Sequence, residues 1–281
     1  MNSQDVPVES QGDDLGVTSD SLVLLKLVQA SILFALLLKT YYFLHFDKVH
    51  QAYPLSVSFF PSWLQSLFVV RVAWLMASVS SFLALFARLQ RSVVLVTLVN
   101  FLMLCVLSVH QKSFNDVTFM CCAWSALWCL WMGTRLHEPF DSLFPRAVWM
   151  AQVILSMIFL GGAVGKMTEG YWSGQILYEI YFVGRDFWVY NLVRQFVPED
   201  QLLGVAMWHS RVVICSEWFC AFLWLLPPRV ASTVAILMLC GIALTSNFLL
   251  FSVVGSLLGL ALVGLHQKKG PAKPRPNPFA D

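Results

Sequence analysis

One lysine and a handful of other ionisable residues are set inside otherwise apolar stretches, and any chemistry this chain performs has to start from them. An apolar helix over 150–160 runs into Gly161, Gly162 and Gly165 and then delivers Lys166 where the apolar run stops. Trp172 and Gly174 follow, ahead of an amphipathic, aromatic-rich segment. Glycines let a backbone or a ligand approach closely, and a charge at the end of a membrane helix is costly to place without a use. Further along, His209, Arg211 and Glu217 fall within one apolar run, and Arg71 lies about seven residues into another. Glu217 is six residues beyond Arg211, which is ~9 Å along a helix. A buried Arg71 or Arg211 needs an acid, and Glu217 is the obvious partner.

Two readings of this set stay open. In one, paired charges between packed helices fix their register, the usual way such residues are tolerated in lipid. In the other, the residues line a polar pocket. There a desolvated Lys166 beside arginines acts as a base, with Arg71, His209, Arg211, Glu217, Trp172, Gly162 and Gly165 as ligand-binding residues. GGAVGKM has the look of a phosphate loop but is one residue short. Met167 stands where Ser or Thr would bind magnesium, and the motif follows an apolar helix rather than a strand. No HExxH, GxSxG or catalytic carboxylate pair is present. His45 and His50, five residues apart, make only a weak metal site and read better as interfacial polar residues.

Of the 281 residues, 58% are hydrophobic and only 12% charged, where a soluble domain carries about 25% charge. That composition implies an all-α polytopic membrane protein. The formal net charge of +2 comes with no basic, aromatic-interleaved patch for nucleic acid. The seven cysteines sit inside apolar runs without a CxxC pair, so they read as small buried apolar residues.

Eight stretches are long enough to cross a bilayer, near 22–44, 64–87, 92–110, 116–134, 147–165, 203–226, 229–246 and 248–266. Pro227–Pro228 separates the sixth from the seventh. Amphipathic segments between spans, above all 170–200, are expected at the membrane interface or as a lid. Residues 1–21 read as a disordered acidic tail, 22–266 as the transmembrane domain and 267–281 as a basic, Pro-rich tail. With no positive segment ahead of the first apolar run, that first helix is expected to act as the targeting signal. Ten Lys/Arg residues fall on the side of the termini and six on the other. The positive-inside rule therefore places both termini in the cytoplasm and Lys166 on the outer face. A bacterial inner membrane is the expected location, in the absence of N-x-S/T acceptor sites.

Gly165-Lys166-Met167 followed by Tyr171-Trp172-Ser173-Gly174 resembles the HTTM (horizontally transferred transmembrane) family, to which vitamin K-dependent gamma-glutamyl carboxylase belongs. Ser216-Glu217-Trp218, Pro228-Arg229 and the stretch 241–262 are similar to the family's later helices. The resemblance implies a carboxylase-like membrane core, a quinone or hydroquinone as cofactor, and Lys166 as the base that deprotonates it. The carboxylase has a second lysine next to the first, where this chain has Gly165. Two expectations follow. The first is an enzyme-like protein with an outer-leaflet pocket for a lipophilic ligand. The second is a non-catalytic subunit that assembles with a partner membrane protein or a peptide substrate through GxxxG faces and aromatic loops. Membrane lipids are partners in either case.

Overall fold

Small residues decide how this chain packs. Ala73, Ala77, Ser80, Ser81 and Ala84 form one buried face of a helix, and Asn100 on its neighbour reaches into that face. The Asn100 amide donates to the Ala77 carbonyl at 2.8 Å and to the Ser81 hydroxyl at 2.7 Å. Lipid tails are as apolar as leucine side chains, so close backbone approach and polar contacts of this kind drive helix association. Gly259 is a second example: a Cβ there would lie 2.6 Å from the Val28 Cα, and its N–H donates to the Ser31 hydroxyl at 2.6 Å. Gly255 packs likewise against Phe34.

The computed structural model describes residues 19–45, 61–110, 116–183, 188–245 and 250–266. Among these residues the fold is wholly helical, with twelve α-helices and no strand. They are α1 (Ser19–Leu38), α2 (Thr40–Leu44), α3 (Leu67–Phe86), α4 (Gln90–Val109), α5 (Thr118–Thr134) and α6 (Phe140–Gly165). Then come α7 (Glu169–Trp172), α8 (Gln175–Tyr181), α9 (Trp188–Phe196), α10 (Leu202–Cys220), α11 (Pro228–Thr245) and α12 (Phe251–Val263). Five stretches are long and apolar enough to cross a membrane: Asp20–Leu38, Leu67–Phe86, Gln90–Val109, Phe140–Gly165 and Pro228–Thr245.

The other three expected spans are helical but depart from that standard. Helices α5 and α12 have 17 and 13 residues, about 25 and 20 Å of rise against a ~30 Å hydrocarbon core. Helix α10 is diluted by His209, Arg211 and Glu217. The expected first span divides at Lys39, where α1 gives way to the short α2. Pro228 begins α11, at the helix position where a missing N–H costs nothing. Of the expected tails, residues 1–18 and 267–281 lie outside the described residues, as does the break between the seventh and eighth expected spans, while residues 19–21 belong to α1 rather than to a disordered tail.

Helix α1 is central, packing against α3, α5 and α12, while α4 lies against α3 and α5. Helix α6 borders this group and carries α10, while α11 packs against both α12 and α6. The main core runs through the first group and α6. A separate cluster of Tyr181, Phe182, Tyr190, Leu202 and Ala206 joins α8, α9 and α10.

Candidate functional site

Lys166 ends α6, and its side chain turns back along the helix toward α10. Nζ donates to Glu217 Oε1 at 2.7 Å and Oε2 at 2.8 Å, and to the Gly162 carbonyl at 3.5 Å. Glycine at 162 makes the approach possible, since a Cβ there would lie 3.2 Å from Glu217 Oε2. The Glu217 side chain is 8% exposed and that of Lys166 26%. The acid is sealed and the amine is reached from one flank. Gly161 and Gly165 leave open space beside the pair, with nothing within 4 Å of a Cβ at either position.

The helices run antiparallel and are offset. Lys166 meets Glu217, while Ser156, lower on α6, accepts a hydrogen bond from the Trp224 N–H at 3.2 Å. The fifteen residues of α10 before Glu217, about 22 Å of helix, therefore lie past the end of α6. Helices α7 and α8 fill that space. Gly174 sits at φ 80°, a left-handed backbone suited to glycine, and a Cβ there would overlap the Met207 backbone nitrogen. Next to it, the Ser210 hydroxyl donates to the Tyr171 carbonyl at 2.5 Å. Burial and the neighbouring Glu217 carboxylate push the Tyr171 phenol above its ordinary pKa.

Arg211 does not pair with Glu217. Its Nε donates to the Trp172 carbonyl at 3.4 Å, and its guanidinium lies 5.3 Å from the Trp172 ring centre and 5.7 Å from that of Trp208. His209 turns elsewhere, its Nδ1 sharing a hydrogen bond with the Tyr190 hydroxyl at 3.0 Å and its ring stacking on Tyr190. Tyr181 stacks on the other side of Tyr190 at 4.4 Å, and Arg194 donates to the Tyr181 carbonyl at 3.2 Å. Burial, with Tyr181 adding to it, holds the Tyr190 phenol well above its usual range.

The structure thus gathers Lys166, Glu217, Gly162, Trp172 and Arg211 around the junction of α6, α7 and α10. Gly165 lines its open flank, and His209 belongs to the adjoining aromatic cluster. Arg71 stands one turn inside α3, which packs on α1 and α4, away from that junction. Sequence reasoning missed Ser210, Tyr171 and Trp208. The signal for Ser210 was present: Ala206, Ser210, Ile214 and Glu217 recur at helical spacing, and all are buried.

It also missed a second lysine–carboxylate pair. Lys39 contacts Asp116, with side chains 6% and 15% exposed. Asp116 accepts from the Thr118 N–H at 2.8 Å and from its hydroxyl at 2.6 Å, and Thr118 shares a hydrogen bond with Ser252 at 2.8 Å. This pair ties α1, α5 and α12 together.

The fold is that of a helical protein built to sit in a membrane, with a polar junction at one end of α6. Compared with protein-family models, curated proteins and solved structures, the chain matches none.

Proposed function

We propose that the protein is an integral membrane protein that takes a lipophilic ligand with an ionisable hydroxyl, of the quinol class, at Lys166–Glu217. The observation that carries this reading is a buried ion pair with one uncovered flank, where Gly161 and Gly165 place no side chain between lipid and Lys166. The resemblance to the HTTM family at the same lysine supports it. Chemically, a proton passed from the Lys166 ammonium to the Glu217 carboxylate leaves a neutral amine. The amine then removes the ligand's hydroxyl proton, leaving an oxyanion beside a regenerated ammonium. Glu217 is the residue that makes a lysine able to act as a base here.

The test is mass spectrometry of quinones retained in mild detergent by the wild type, Lys166→Ala and Glu217→Gln. Retention by the wild type and loss from both variants is the expected result. Equal quinone content in all three would overturn the reading.

A second reading has its own observation. Met157, Leu160, Gly161, Val164 and Gly165 form an exposed apolar face on α6, and small residues at i and i+4 suit helix–helix contact. In that reading the protein is a subunit and this face receives a partner's helix. Gly165→Leu would then abolish co-purification of the partner without affecting the fold.

A further inference from the structure

Arg211 is the cation of the junction that the ion pair does not use. Among the described residues its guanidinium makes one hydrogen bond, from Nε, and its Nη groups donate to none. The cation is held between two indoles, Trp172 and Trp208, which are 47% and 64% exposed. Indole rings are enriched at the membrane–water boundary, and cation–π contact fixes a guanidinium without consuming its donors. Along α10 from this clamp, Val212, Cys215 and Phe219 form an exposed apolar stripe at successive helical turns. Cys215 lies one turn from Arg211 and keeps the track shallow at that point.

We infer that the Trp172–Arg211–Trp208 clamp is a seat for an anionic phospholipid, separate from the quinol site. Its phosphate takes the free edge of the guanidinium and an acyl chain lies along Val212, Cys215 and Phe219. Charge complementarity selects the headgroup, because a guanidinium offers two parallel donors that match two phosphate oxygens. The stripe selects a lipid over a free ion. Arg211 here binds the headgroup; it does not tune Lys166.

The experiment is native mass spectrometry of the full chain in mild detergent, titrated with palmitoyl-oleoyl phosphatidylglycerol, palmitoyl-oleoyl phosphatidylcholine or inorganic phosphate. The wild type is expected to retain phosphatidylglycerol in preference to phosphatidylcholine. Arg211→Ala should weaken that retention about tenfold, the scale of one lost charge-assisted contact. Arg211→Lys should fall between, since an ammonium lacks the fork. Cys215→Trp should weaken retention with Arg211 intact, and Arg146→Ala, near the opposite end of α6 from Lys166, should leave it unchanged. Wild-type retention in both Arg211→Ala and Cys215→Trp would overturn the proposal. So would equal retention of the two lipids, or full displacement of the lipid by inorganic phosphate. Loss of phosphatidylglycerol from Arg211→Ala with its quinone content unchanged would separate this seat from the Lys166 site.

Discussion

The protein holds two lysines against two carboxylates, and they are built differently. Lys39 and Asp116 are 6% and 15% exposed, with Asp116 further held by Thr118 and through it by Ser252. Lys166 and Glu217 share the ion-pair chemistry, but the lysine is 26% exposed and two neighbouring glycines leave its flank bare. Desolvating charges is expensive, and a sealed pair recovers that cost only through good geometry and extra hydrogen bonds. The first pair has those extras and buries its lysine almost completely, as a structural clasp requires. The second gives up closure, which adds nothing to stability and is what a binding site requires.

The contrast can be broken by substitution. Asp116→Ala removes a carboxylate from the buried Lys39 and should cost about 3–5 kcal/mol, read as a large drop in unfolding temperature in nanodiscs. Gly174→Ala comes next. Its left-handed backbone alone costs about 1–2 kcal/mol for an L side chain, and the overlap with Met207 adds to that, so α8 should separate from α10 in hydrogen exchange. Glu217→Gln should cost only roughly 1–2 kcal/mol, because Lys166 stands at the end of α6 and is only partly buried. Equal losses in Asp116→Ala and Glu217→Gln would erase the distinction between clasp and site. A finer comparison sets Gly162→Ala against Gly161→Ala. Alanine favours a helix by about 1 kcal/mol over glycine. Gly161→Ala should therefore stabilise, while Gly162→Ala should lose that gain by pressing on Glu217.

The smallest effect lies in the loop between α5 and α6, where Glu138 binds Arg146 and Arg135. The Arg146 hydrogen bond, assisted by Arg135, holds the Glu138 carboxyl below its ordinary pKa. A depressed carboxyl contributes stability above its unfolded pKa and loses it as pH falls through the folded value. Glu138→Gln should therefore flatten a small decline in unfolding temperature below about pH 4.

Much of the helical layout was legible in the sequence. Apolar runs and Pro227–Pro228 announce their own boundaries, since hydropathy and proline act locally. What escaped was pairing. Glu217 looked like the partner of Arg71 or Arg211 because it shares a helix with one and a hydropathy environment with both. Its partner is instead 51 residues away in sequence, chosen by the offset between α6 and α10. That offset is set by Gly174, Ser210 and Gly162, whose small size matters only once two helices are brought together. Lys39 and Asp116 escaped for the same reason: each stands near the end of an expected span, and only the packing of α1 and α5 brings them together.

The offset also bears on how the chain is made. With three ionisable side chains, His209, Arg211 and Glu217, α10 gains little by entering lipid on its own, since a charge near a helix centre costs about 2.5–3.5 kcal/mol on insertion. Helix α6 is synthesised first, so Lys166 already stands at its end when Glu217 emerges. If α10 enters the membrane, Lys166 offers its acid a partner already in place, and Lys166→Ala is expected to lower the yield of membrane-integrated full-length chain in a pulse-chase measurement.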